Sequence, residues 1–206
     1  MLTIIKSPFL ESKLSILRNK KTNNTIFRRT MDECSYLIAA DVLKNIPFKK
    51  INVLTPLKQT TGKKIKNRIV LVPILRAGLG LVEGFTRLLP DAERGHIGLY
   101  RDEQTYRPVE YLCNLPKAEN KFFIVLDPML ATGNSSAAAI KLLSKSGIKL
   151  KNIFLVSLLA APEGVKFLES SYKSLKIFTA SKDEKLNSNK FIVPGLGDAG
   201  DRYMGT

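Results

Sequence analysis

Apolar residues gather along this chain in two rhythms, and the way the rhythms alternate predicts its architecture. From Leu14 to Leu17 and again from Thr25 to Ile46 they recur at helical spacing. Ile26, Met31, Cys34, Leu37, Ile38, Val42 and Leu43 form one stripe, so residues 1–48 are expected to hold two helices. Unbroken apolar runs then take over. Ile69 to Leu75, Phe122 to Leu126 and Ile153 to Leu159 read as strands buried on both faces. Ile51 to Leu54, His96 to Tyr100 and Leu175 to Thr179 read as further strands, and Gln59 to Lys64 as a polar turn. Helical stretches follow at Gly80 to Leu89, Ala137 to Leu143 and Glu163 to Ser170. Such alternation implies an α/β fold with a mainly parallel sheet flanked by helices, and ligands at the carboxyl ends of the strands. Residues 100–116 are too polar and Pro-interrupted for the sheet core and are expected to project as a β-arm.

Composition narrows the picture. A chain of 206 residues, 44% hydrophobic and 25% charged, fits a single folded domain over 1–206. Lys6 and Pro8 break the short apolar run at the N-terminus, which makes a poor signal peptide, and no uncharged run is long enough to span a membrane. Cys34 and Cys113 stand far apart, and the single His96 leaves too few partners for a zinc site, so a reducing compartment is expected: the cytoplasm or an organelle stroma. The net charge of +15 favours a polyanionic partner. Because the basic residues are scattered and not interleaved with aromatics, a phosphorylated small molecule fits better than nucleic acid.

Four segments carry chemistry. In the first, the strand Phe122 to Leu126 ends at Asp127 and turns through Ala131, Thr132, Gly133, Asn134, Ser135 and Ser136 into a helix. Successive N–H groups and a helix start can bind a phosphate there, with hydroxyls on Thr132, Ser135 and Ser136 as added donors. Asp127 is placed to accept hydrogen bonds from vicinal ribose hydroxyls, and Pro128 beside it disfavours a pure metal site. An ordinary turn whose serines cap the helix explains the same residues, and this segment alone leaves both readings open. The second segment, Val72 to Gly80, delivers Arg76 to a strand end, where a guanidinium can grip phosphate in two-pronged fashion or pair with an acid or carbonyl. The third is the arm, which carries Arg101. The fourth is the tail over 191–206. Gly195, Gly197 and Gly200 match a dinucleotide fingerprint by letter, but too few residues follow to complete that unit. An ordered loop there can read the edge of a flat ring through its backbone.

Val-Pro-Ile-Leu-Arg-Ala-Gly-Leu-Gly at 72–80, Asp-Pro-Met-Leu-Ala-Thr-Gly at 127–133, Ala-Ala-Pro-Glu-Gly at 160–164 and Pro-Gly-Leu-Gly-Asp-Ala-Gly-Asp at 194–201 together resemble the uracil phosphoribosyltransferases. The resemblance covers about residues 70–206. It implies a type I phosphoribosyltransferase-like fold with a C-terminal base-binding loop. It also implies formation of UMP and diphosphate from uracil and 5-phosphoribosyl 1-diphosphate (PRPP) with magnesium. Carried onto this chain, it places Arg76 and Arg101 on the diphosphate, and Asp127, Pro128, Met129, Leu130, Ala131, Thr132, Gly133, Asn134 and Ser135 on the ribose and 5′-phosphate. Ile192, Gly197, Asp198 and Ala199 fall on uracil, with Asp198 also facing PRPP or its magnesium. Arg101 and Asp198 are thereby the catalytic candidates. A homo-oligomer and a GTP effector are further implications. Asn134 stands where many relatives have a second glycine, a position that Asn suits by tolerating left-handed backbone. An RNA-binding regulator of the same fold is disfavoured, since Pro128 replaces the second acid of its motif. A uridine kinase is disfavoured because Thr61-Gly62-Lys63-Lys64 is the nearest approach to a P-loop.

Overall fold

Three apolar runs form the centre of the sheet. The computed structural model describes residues 1–101 and 108–206. Along the chain it holds β1 (Leu2–Ile4), α1 (Pro8–Arg18), α2 (Asn24–Val42), β2 (Phe48–Leu54), β3 (Gln59–Ile65), β4 (Arg68–Leu75) and α3 (Val82–Leu88). There follow β5 (Glu93–Arg94), β6 (His96–Arg101), β7 (Pro108–Asn114), β8 (Lys121–Leu126), β9 (Met129–Leu130) and α4 (Asn134–Lys145). The last part holds β10 (Ile153–Ala160), α5 (Pro162–Ser171), β11 (Lys176–Lys182), β12 (Lys185–Leu186), β13 (Ile192–Val193) and α6 (Ala199–Met204).

The main sheet runs β1-β11-β10-β8-β4-β6-β7, with β5 beside β4 and β9 beside β10. Every pairing along it is parallel except the last, β6 with β7. Side chains alternate across it, as strand geometry requires. Ile69, Leu71, Ile124 and Val156 face one core with α1, α2 and α3, while Val70, Val72, Phe123, Val125 and Leu155 face the other with α4 and α5. Burial on both faces explains why β4, β8 and β10 read as continuous apolar runs. No helix among the described residues is long and apolar enough to cross a membrane.

Local signals set the helix starts. Ser7 caps α1, its hydroxyl accepting from the Leu10 N–H at 3.3 Å, with Pro8 in the first turn; Asn23 caps α2 through the Ile26 N–H at 2.9 Å. The buried stripe of α2 is Phe27, Thr30, Met31, Cys34, Ile38 and Val42, so Ile26, expected inside, is exposed and Phe27 takes its place. Gly80 to Leu89 begins as a tight turn over Ala77–Leu81 and becomes helical only from Val82.

Three other expectations need correction. Gln59 to Lys64 is not a turn but β3, paired antiparallel with β2 in a hairpin separate from the main sheet. With only Ile65 packed against the core, β3 keeps a polar pattern that a buried strand would not show. The arm is partly the edge of the main sheet, where β7 lies antiparallel to β6; Pro108 is accommodated at the first residue of this edge strand. Residues 102–107 of the arm lie outside the described residues. The N-terminal segment joins the sheet as β1, parallel to β11.

Candidate active site

Three loops meet at the carboxyl ends of β4, β8 and β11. At the end of β8, Asp127 donates its N–H to the Val156 carbonyl at 3.0 Å, and the chain passes through β9 to Gly133. Gly133 adopts the left-handed conformation, φ +83°, as the residue preceding α4, and it offers the helix start no side-chain cap. The capped-turn reading therefore fails: the serines leave the helix start open. Ser136 turns inward, where its hydroxyl donates to Asp127 Oδ2 at 2.9 Å, so it serves the acid and not the mouth of the loop. Burial pushes the Asp127 carboxyl up to about 6, opposed by the Ser136 hydroxyl and the Met129 N–H, both of which favour the carboxylate. At neutral pH it remains mostly an acceptor, suited to paired hydroxyl donors.

Three loop residues are placed differently from expectation. Pro128 is buried, lacks an N–H, and its carbonyl accepts from Leu158 and Leu159 at 3.0 Å each, so it shapes the loop from beneath. Leu130 is also buried and pairs with Ala160, and its carbonyl accepts from the Ala161 N–H at 2.8 Å, so it too supports the loop from beneath. Asn134 needs no left-handed tolerance, because it is the first helical residue and Gly133 alone takes positive φ. Thr132 Oγ accepts from the Asn134 N–H at 3.4 Å. Gly164, within the Ala-Ala-Pro-Glu-Gly segment, backs the loop so closely that a Cβ there would strike the Ala131 carbonyl. Glu163 meanwhile accepts from the Leu186 N–H at 2.9 Å, tying α5 to the β12–β13 hairpin.

Arg76 opens the second loop. Its side chain is exposed and, among the described residues, has neither an acidic nor a carbonyl partner. Gly78 then packs against the end of β8, where a Cβ would collide with the Leu126 carbonyl, which locks this loop beside Asp127. Arg101 ends β6 opposite Pro108, and its side chain lies outside the described residues.

The tail completes the site, as a short strand and helix and not a plain loop. Asp198 caps α6, Oδ1 accepting from the Asp201 N–H at 3.0 Å, with the rest of its carboxylate exposed. Ala77, Met129, Ala131, Ile192, Gly197, Asp198, Ala199 and Gly200 line one cleft of about 240 Å³. Of the expected phosphate-loop residues, Met129 and Ala131 thus share a cleft with the expected base-reading residues, while Arg76, Asp127 and residues 132–135 do not line it. Phe191, at the start of the tail, lines it too, as do Asn189 and Lys190, which nothing in the sequence announced. His96 sits at the amino end of β6, far along the strand from the loops, in agreement with a structural role.

The residues that hold α6 in place come from a part of the chain without recognisable motifs. Asn24 donates to the Arg202 and Tyr203 carbonyls at 2.6 and 3.1 Å, and Arg28 to those of Tyr203 and Met204 at 2.6 and 2.9 Å. The N-terminal helices are therefore the platform on which the tail is mounted.

Comparison with known proteins agrees with this geometry. A uracil phosphoribosyltransferase of Lactococcus lactis subsp. cremoris is 48% identical over 206 residues, covering 98% of this chain and 97% of its own. A solved structure from Aquifex aeolicus superposes with a TM-score of 0.91 at 34% identity, covering 98% and 97% of the two chains. A purine phosphoribosyltransferase from Pyrococcus horikoshii, 15% identical with a TM-score of 0.51 over 75% of this chain and 83% of its own, shares the fold. The family model described as uracil phosphoribosyltransferase matches residues 4–206, and the chain belongs to that family.

Proposed function

We propose that this protein transfers the phosphoribosyl group of PRPP to uracil, forming UMP and diphosphate in pyrimidine salvage. One observation carries the reading: Met129 and Ala131 of the phosphate loop share a cleft with Ile192, Gly197, Asp198 and Ala199 of the tail. A sugar phosphate held by the first group would present its anomeric carbon to a base held by the second. The open start of α4 receives the 5′-phosphate, and Asp127 accepts from the ribose hydroxyls. Arg76 and Arg101 neutralise the diphosphate. As the C1′–O bond breaks, the sugar becomes oxocarbenium-like and uracil N1 attacks the opposite face, giving up its proton to water or to the departing diphosphate, while the C1′–O electron pair leaves with diphosphate. Catalysis is then chiefly positioning and charge stabilisation, with no side-chain nucleophile.

No group of three or more His, Cys, Asp or Glu residues able to hold a metal occurs among the described residues. A magnesium ion fits this donor set only as a partner of the diphosphate, with Asp198 as one ligand directly or through water. Its chemistry would be charge neutralisation of the leaving group. A homo-oligomer is supported by the β2–β3 hairpin, which stands apart from the main sheet and exposes Phe48, Val53, Leu54 and Leu57. The family supplies the proposal of a GTP effector, which a GTP titration of turnover at low PRPP tests.

The deciding assay is UMP formation from uracil, PRPP and magnesium, run beside filter binding to RNA. RNA binding that survives physiological salt, with no UMP formed, would overturn the proposal.

A further inference from the structure

We infer that Arg18 and Asp183 form a positioning pair that sets the backbone of the base-reading turn from outside the cleft. Asp183 is almost wholly buried, and both its oxygens are engaged. Oδ1 accepts from Arg18 Nη2 at 2.6 Å and from the Ser181 hydroxyl at 2.8 Å; Oδ2 accepts from Arg18 Nη1 at 2.7 Å and from the Gly195 N–H at 2.9 Å. Arg18 Nη1 also donates to the Gly195 carbonyl at 2.8 Å. The pair therefore grips both polar groups of one peptide residue. Gly195 has φ +60° and sits so close to the Ile192 carbonyl that a Cβ would collide with it.

One residue further on, the Leu196 carbonyl accepts from Arg202 Nη1 at 2.7 Å, and the same nitrogen reaches the Leu17 carbonyl at 2.5 Å. The end of α1 is thus the mount on which residues 195 and 196 are fixed, and these separate Ile192 from Gly197. Neither Arg18 nor Asp183 lines the cleft. A bidentate pair with a buried carboxylate holds geometry tightly, and a backbone-reading pocket depends on geometry alone. The inference rests on the assignment of the tail to uracil.

The test compares wild type with R18K, which keeps the charge but loses the fork, and with K13M. Lys13 pairs with Glu33 at 2.7 Å between α1 and α2 and touches nothing in the tail. Expected for R18K is roughly a tenfold rise in uracil KM, with PRPP KM and kcat at saturation within about twofold of wild type. K13M should lower the melting temperature and leave uracil KM alone. In parallel, amide hydrogen exchange in R18K should quicken over residues 192–199 and stay unchanged in β8 and β10. An R18K protein that melts lower with unchanged uracil KM and unchanged exchange at 192–199 overturns the inference, as does an equal rise in the KM of both substrates. If R18K does not fold, S181A, which removes one donor from Asp183, takes its place with the same measurements, and the same results support or overturn the inference. Wild-type protein that forms no UMP refutes the substrate assignment instead. The exchange experiment needs no substrate and still decides the positioning role.

Discussion

Replacing Gly133 by Ala probes the phosphate loop at its narrowest point. Two costs combine there. A non-glycine residue held at φ +83° loses about 1–2 kcal/mol from contact between Cβ and its own backbone. The new methyl would also stand 3.0 Å from the Phe167 ring and 3.1 Å from the Gly164 carbonyl. The ring can swing aside, but the carbonyl belongs to the first turn of α5 and yields only by moving that helix. A total of about 2 kcal/mol lowers the melting temperature of a domain this size by roughly 4–8 °C. Because the start of α4 is displaced by the same strain, PRPP KM should rise about tenfold while uracil KM changes little. Gly147 supplies the control: it has φ +81° with nothing within 4 Å, so Gly147→Ala carries the backbone cost without the collision and far from the cleft. Differential scanning fluorimetry and initial-rate kinetics on both variants make the comparison. G133A no less stable than G147A, with unaltered PRPP KM, would refute the claim that this loop's shape is set by Gly133 against Gly164.

Asp127 ties stability to pH in the less usual direction. Its carboxyl is raised from about 3.8 to about 6 by burial, so the folded protein binds the proton more tightly than the unfolded chain, and the group costs stability increasingly as pH rises from 4 to 6. D127N should therefore be more stable than wild type above pH 6, by chemical denaturation, while losing most turnover. S136A removes a bond that favours the carboxylate, and the acidic limb of kcat/KM should move to higher pH. Arg76→Ala should leave the melting temperature nearly unchanged, since the side chain is exposed, yet reduce kcat/KM for PRPP by about a hundredfold or more; a small loss with intact PRPP KM would remove it from diphosphate binding. Arg101→Ala should lower turnover far more than it loosens uracil binding, and unchanged turnover at saturating PRPP would take the arm out of the mechanism.

The legible parts of this fold are those where burial imposes a pattern. β4, β8 and β10 lie between two helical layers, so almost every position in them is apolar and the strands declare themselves. β3 and β7 escape because one lies in a hairpin off the main sheet and the other on its edge; Gln-Thr-Thr-Gly-Lys-Lys-Ile satisfies its backbone by pairing without any apolar face. Phe27 displaced Ile26 because a one-residue phase error on a helix turns the stripe by about 100°. Asp127, Ile192 and the Gly197–Ala199 turn could be found because their residue types recur as local strings. Arg18, Asp183, Asn189 and Lys190 could not, since their meaning comes from partners distant in sequence, and a lone arginine near a helix end has many commonplace explanations.

Distance along the chain has its own consequence for biosynthesis. The bonds that mount the tail join Arg18 to Asp183, 165 positions apart, and Asn24 to Arg202, 178 apart. Loop closure over such lengths comes late, after local helices and neighbouring strands have formed. During synthesis the N-terminal helices therefore emerge with their tail-binding groups unpaired and wait for nearly the whole chain. The cleft is consequently a record of finished folding: if it reads the base as proposed, a molecule able to bind uracil is one whose two ends have already found each other.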